Sequence, residues 1–252
     1  MFHDKRKSDF YKFIDSCSYS VGFSIDNIKK ILECNRNVIN DINEWEETAL
    51  HYVCYDYDEF DTVDHFYKTI ELLFSYNANP NVAQMDGITP LNTILKCCCD
   101  IDIVKLFIDN GADVNFHSPI ITALENSCSF DIIKLLIDSG ANCLVKNDDG
   151  MNLIDIYINN YIEGCEDDID VLSKFKLLID TGININERNC LGVYTTFTDA
   201  LEFYNDNIEI IKLFIDSGAD LSLTYDNKSI LDLCKEYQCN TEIIELIKSK
   251  IS

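Results

Sequence analysis

The sequence predicts an all-α fold: a solenoid of stacked helix-turn-helix units joined by short hairpin fingers. Three observations predict it. First, five segments nearly superimpose: residues 70–81, 101–115, 130–144, 172–186 and 207–222. Second, the four best copies carry apolar pairs spaced for one helical face: Val104/Phe107, Ile133/Leu136, Phe175/Leu178 and Ile211/Phe214. Gly then follows at 111, 140, 182 and 218, where a helix ends in a left-handed residue. Third, the small residue after it (Ala78, Ala112, Ala141, Ala219, with Ile183 the exception) recurs at spacings of 34, 29, 42 and 36 residues. Such a period belongs to arrays in which each unit buries its apolar face against its neighbours.

A weaker signature precedes four of these segments and recurs after the last. Asp86-Gly87-Ile88-Thr89-Pro90-Leu91 is its clearest copy. Degenerate versions are Glu47-Thr48-Ala49-Leu50-His51, Thr122-Ala123-Leu124, Asp149-Gly150-Met151-Asn152-Leu153 and Asp226-Asn227-Lys228-Ser229-Ile230-Leu231. Asp-Gly makes a tight turn, and Thr or Ser then caps a helix. Pro suits the first helical position because its missing N–H would be unpaired there anyway. Leu begins the buried stripe. In chain order, residues 9–42 read as a degenerate amino-terminal cap with helices near 10–17 and 25–33. Full units follow at 43–84, 85–115, 116–146, 147–187 and 188–223, and residues 224–252 close the array with helices near 229–236 and 241–248. The closing unit lacks a Gly-Ala turn, and polar Lys235, Glu236, Lys248 and Lys250 would face water there, as a terminal unit requires. Residues 54–64 and 163–170 lengthen two units and fall between a first and a second helix. In the third unit Phe116-His117-Ser118-Pro119 replaces the Asp-Gly turn, which predicts a distorted finger. No linker separates the units, so residues 1–252 are expected to form a single domain.

These motifs resemble the ankyrin repeat, whose unit reads D-x-x-G-x-T-P-L-H, then helix, then L-L-x-x-G-A-D-V-N. Thr48-Ala49-Leu50-His51 and Asp86-Gly87-Ile88-Thr89-Pro90-Leu91 match its first half, and Gly111-Ala112-Asp113-Val114-Asn115 and Gly218-Ala219-Asp220-Leu221 its second. The resemblance covers residues 24–249. It implies a structural His51, hydrogen-bonded across a turn. It also places Asn81, Asn115 and Asn186 where asparaginyl hydroxylases can act on such repeats, although a hairpin-stabilising role accounts for them more simply.

The chain has 252 residues, 20 Lys and Arg against 44 Asp and Glu, and a formal net charge of −24. Its 47% hydrophobic content is too high for intrinsic disorder. The charge argues against sequence-independent nucleic-acid binding, which needs cations to displace phosphate counterions, and against anionic membrane surfaces. It favours a protein partner with a neutral or basic surface. The charged amino terminus does not read as a signal peptide, and no window approaches a membrane span. Twelve Cys with no CxxC read as reduced, mostly buried thiols of a cytoplasmic protein.

Catalytic constellations are missing from the sequence: it contains no Gly-rich phosphate loop, G-x-S-x-G or H-E-x-x-H. Asp56, Asp58, Glu59 and Asp61 lack the Gly and Glu that an EF-hand needs, and like Glu166, Asp167, Asp168 and Asp170 they read as solvated loops. Consecutive residues on a helix diverge by about 100°, so Cys97, Cys98 and Cys99 cannot share one metal. The expectation is no enzyme, no cofactor and no metal.

Function should then reside in surface. At the finger tips Trp45, Glu46, Met85, Phe116, His117, Arg188 and Tyr225 are candidate partner contacts, because aromatic residues, Met and Arg are enriched at binding hot spots. Tyr55, Tyr57 and Phe60, interleaved with acids, form a second candidate patch. A composition rich in Ile, Asn, Asp, Lys and Tyr, with irregular repeat lengths, is similar to the ankyrin proteins of poxviruses and other large DNA viruses. That resemblance implies a monomeric host-range or immune-evasion factor sequestering a host protein in the cytoplasm. Residues 243–247 fall within the last repeat, which leaves no room for the F-box-like segment many poxvirus relatives carry. The alternatives are an adaptor to a ubiquitin ligase and a bacterial or protist scaffold.

Overall fold

The computed structural model describes residues 2–17, 24–60, 62–98, 100–160, 168–188 and 194–251, with side chains from residue 9 onward and from 170 in the fourth repeat. Among the described residues there are fourteen α-helices, two short 3-10 turns and two isolated β-bridges, and no strand. The chain divides into two compact units, residues 1–123 with 138–141, and residues 124–137 with 142–252.

The first unit holds α1 (Phe2–Cys17), α2 (Ile25–Cys34), α3 (Ala49–Tyr55), α4 (Val63–Ser75), α5 (Pro90–Cys97), α6 (Ile101–Asp109) and the start of α7 (Pro119–Glu125). The second holds α8 (Phe130–Asp138) up to residue 137, α9 (Leu153–Asn160), α10 (Asp168–Asp180), α11 (Thr196–Phe203), α12 (Ile208–Asp216), α13 (Ile230–Glu236) and α14 (Thr241–Ile251). Helices of seven to thirteen residues are marginal alone in water and depend on packing of an apolar face. All eight residues of the predicted apolar pairs are fully buried. In the first unit Phe74 meets Phe107 edge-on at 5.2 Å. In the second, Phe175 is ringed by Tyr157, Tyr204 and Phe214 at 5.1, 5.3 and 5.5 Å.

The first helices share one capping device. A side chain at the third helical position accepts the N–H of the N-cap residue, a donor the helix cannot use. Four kinds of side chain do this at five helices. His51 Nδ1 accepts from Thr48 N–H at 3.1 Å, Asn92 Oδ1 from Thr89 at 3.4 Å and Asp155 Oδ2 from Asn152 at 3.3 Å. Thr198 Oγ1 accepts from Thr195 at 2.9 Å, and Asp232 Oδ2 from Ser229 at 3.1 Å. Because Nδ1 of His51 accepts, its proton sits on Nε2, which donates to the Ile88 carbonyl at 3.3 Å. That is the structural role the resemblance implied. Burial holds His51 below the usual histidine range.

Second helices end on left-handed residues. Gly111, Gly140, Gly182 and Gly218 have φ of +86°, +92°, +89° and +94°, conformations an L side chain resists. The asparagines closing the turns use both ends of their amides. Asn81 Nδ2 donates to the Gly111 carbonyl at 2.8 Å, and Asn81 Oδ1 accepts from Asp113 N–H at 2.7 Å. Asn186 does the same with Gly218 and Asp220 at 2.9 and 2.8 Å. Each such Asn therefore stitches its turn to the next one.

Three sequence expectations need correction. α1 begins at Phe2 rather than near residue 10. In the third repeat the helix starts at Pro119, so Ser118-Pro119 opens it and Thr122-Ala123-Leu124 lies within its body. Cys97 ends α5, and Cys98 is an extended, buried cap, so these cysteines do not follow one another along a helix. Cys99 lies outside the described residues, as do Asp61 and most of the 163–170 insertion. The other insertion forms a 3-10 turn, Tyr57–Glu59, between α3 and α4.

Candidate protein-interaction surface

The first finger is folded by one side chain. Asn43 Oδ1 accepts the N–H groups of Trp45 and Glu47 at 2.8 and 2.9 Å, and the Asn43 carbonyl accepts Glu46 N–H at 3.2 Å. Glu46 is left-handed at φ +64°. With its backbone satisfied internally, this turn pushes Trp45 outward, 54% exposed. The second finger follows the Asp-Gly pattern: Gly87 N–H donates to the Gln84 carbonyl at 2.7 Å, with Gly87 at φ +81°. Its tip residue Met85 is 66% exposed and donates its N–H to the Trp45 carbonyl at 3.1 Å. The two tips are thus tied together through backbone while both side chains face water.

The third finger is distorted, as predicted. His117 and Ser118 are both left-handed, at φ +54° and +47°. Phe116 stands 41% exposed against the His117 ring, 4.4 Å away. The imidazole covers Gly87 so closely that a β-carbon there would come within 2.4 Å of its Cε1. Asn92 Nδ2 donates to the His117 carbonyl at 3.2 Å, which fixes this finger from the buried side. His117 is therefore exposed on one face and packed on the other.

Trp45, Met85 and Phe116 sit on three successive fingers of the first unit, and Ile42 near Trp45 is also exposed. Finger segments 41–48, 82–89 and 113–119 contain Asp41, Glu44, Glu46, Glu47, Asp86 and Asp113 but no Lys or Arg. The tips are apolar and their surroundings acidic. Tyr55 is exposed, its hydroxyl bonded to Gln84 Oε1, and burial with nearby acid pushes its phenol up to about 12. Tyr57 and Phe60 turn inward, their rings edge-on to buried Phe66 at 5.0 and 5.2 Å.

Fingers of the second unit differ. Asn147 closes the turn at residues 147–151, and its tip is Asp148-Asp149, both exposed. Tyr225 is corrected as a partner contact: it is 1% exposed. Tyr225 and Lys228 exchange both backbone hydrogen bonds, at 2.9 and 2.8 Å, across left-handed Asp226 and Asn227. That two-residue turn folds the ring inward. There it stacks near Tyr194 at 6.3 Å, bonds Thr195 Oγ1 at 3.0 Å and lies under the Arg188 guanidinium at 5.4 Å. Arg188 remains exposed but is tied down by a 3.1 Å bond to the Thr224 carbonyl.

No helix among the described residues is long and apolar enough to cross a membrane, and no group of three metal-ligating side chains converges among them.

Residues 61–147 match the family described as ankyrin repeats (3 copies). The chain is similar to the crystal structure of the human ASB11 ankyrin repeat domain, with a TM-score of 0.62, 18% identity, and 88% of this chain and 91% of that one covered. It is also similar to the ankyrin repeat domain of Bcl-3, described as a unique member of the IkappaB protein family. There the TM-score is 0.67 at 15% identity, with 96% and 97% covered. At such identities these likenesses establish the fold alone. No curated protein matches the sequence.

Proposed function

We propose that this ankyrin-repeat protein is a non-enzymatic interaction module that captures a protein partner on the fingers of its first unit. The observation that carries this reading is the row of exposed Trp45, Met85 and Phe116 within an acidic border free of Lys and Arg. Large apolar side chains held out by satisfied turns offer contact area with little ordering cost. The border selects the partner's chemistry: an apolar patch flanked by Lys or Arg, recruited faster at low salt than at high salt. Glu46, Tyr55 and His117 rim the same surface and would supply polar contacts. Arg188, held against Tyr225, would belong to a separate patch on the second unit.

The biological setting we infer is viral. Support comes from the AT-rich style of the composition and the irregular repeats, both similar to ankyrin proteins of large DNA viruses. In that setting a monomeric module in the host cytoplasm would sequester a host protein and so act in host range or immune evasion. Affinity purification from host cells tests this with wild type, Trp45→Ala/Met85→Ala/Phe116→Ala and an Arg188→Ala control. Partners lost from the triple variant and kept by the control are expected. An unchanged partner set in the triple variant would overturn it.

A further inference from the structure

A pair of thiols lies at the turn between α13 and α14. α13 ends in a Schellman motif: Gln238 is left-handed at φ +58°, Cys239 N–H donates to the Cys234 carbonyl at 2.8 Å, and Gln238 N–H to that of Lys235 at 3.3 Å. This motif brings together the side chains three residues before and two after the cap. At three other such ends the pair is hydrocarbon: Leu73 with Ala78, Phe107 with Ala112, and Phe214 with Ala219, each closed by the same backbone bond at 3.0–3.1 Å. In α13 both members of that pair are cysteine. Cys234 is fully buried, while Cys239 keeps 7% of its surface and lies 3.8 Å from the Leu201 carbonyl. The turn is held in place, with Asn240 N–H bonded to the Asn205 carbonyl and Asn205 Nδ2 to that of Tyr237, both at 2.9 Å.

We propose that Cys234 and Cys239 are a redox modification site that closes to an intramolecular disulfide when hydrogen peroxide reaches the chain. Of the two, Cys239 is the sulfur placed to meet the oxidant, since its residue keeps 7% of its surface and Cys234 none. Its thiolate attacks a peroxide oxygen, the O–O bond breaks, and the departing hydroxide takes a proton to become water, leaving a sulfenic acid on Cys239. Cys234 sulfur then attacks Cys239 sulfur. The S–O bond breaks, and the hydroxide leaves as a second water with the Cys234 proton. Two thiols and one peroxide thus give one disulfide and two waters. The neighbouring Cys234 thiol also favours the thiolate of Cys239, holding that thiol below its usual range, whereas burial pushes Cys17, Cys54 and Cys143 up.

Lys235 separates the two cysteines, so trypsin places them on different peptides, residues 229–235 and 236–248. The test treats the folded, reduced full chain with hydrogen peroxide, blocks remaining thiols with N-ethylmaleimide and maps tryptic peptides without reductant. The expected result is a species joining those two peptides, absent before peroxide and lost on adding dithiothreitol. In Cys234→Ser, dimedone should label Cys239. Recovery of both peptides singly, at a peroxide dose that has oxidised exposed Cys34 and Cys97, would overturn the proposal. So would a Cys234→Ser chain in which dimedone labels Cys34 but leaves Cys239 untouched.

Discussion

Trp45 and Tyr225 are both aromatic residues at finger positions, and they end in opposite environments. Trp45 is ejected because Asn43 consumes the N–H groups around it. Tyr225 is drawn in because a two-residue turn points its ring at Tyr194, Thr195 and Arg188. An aromatic residue at a finger tip is thus not by itself a binding residue. The turn beneath it and the neighbours within reach decide whether its area is spent on stability or offered to a partner.

The sharpest way to break this comparison is to remove each ring. Tyr225→Ala should cost about 3 kcal/mol, as expected for deleting a buried aromatic side chain, measured from the urea midpoint. A loss below 1 kcal/mol would mean that the ring is not part of the core. Asn81→Ala, which strips two turn-to-turn hydrogen bonds from the first unit, should cost about 1–2 kcal/mol, and Asn186→Ala in the second unit should match it. Unequal losses would show that the two units do not share this device.

Acid and base should act with opposite signs on the two capping regions. The folded chain holds His51 below its ordinary value, so its contribution is complete above about pH 6.5 and is lost as pH falls below that. Asp199 runs the other way: burial, then the charges of Asp155 and Glu202, push it up to about 7. Its contribution is present below the unfolded value of 3.8 and is lost as pH rises through about 7. Urea midpoints across pH should show His51→Asn less sensitive to acid than wild type. Asp199→Asn should gain on wild type from about pH 4 and level off above about pH 7. Parallel pH profiles for both variants and wild type would refute these assignments. The smallest expected effect is Trp45→Ala, which should change stability by no more than about 0.5 kcal/mol.

Much of this was legible in the sequence, because a Gly after an apolar pair has one structural meaning and the helical stripe fixes which residues face the core. The registers that differ from the sequence pattern depend on competition between similar signals. Thr122-Ala123-Leu124 imitates Thr48-Ala49-Leu50, yet Ser118-Pro119 lies upstream and starts the helix sooner, since Pro is already set for the first helical position. Left-handed Asn77 and Gln238 end helices as glycines do, and without glycine they carry no sequence signal strong enough to be found. The Cys234–Cys239 contact was hidden for the same reason. Tyr225 did carry a signal: Asp226-Asn227 between it and Lys228 suits a tight hairpin, and that turn turns the ring inward.

The central claim is that the exposed finger tips of the first unit, and not the aromatic finger of the second, make the binding surface. With a captured partner in hand, titration calorimetry against wild type, Trp45→Ala/Phe116→Ala and Tyr225→Phe tests it most directly. The account predicts at least a hundredfold weaker binding for the double variant, about 3 kcal/mol from two hot-spot residues, and unchanged affinity for Tyr225→Phe. Equal affinities for the double variant and wild type would contradict it.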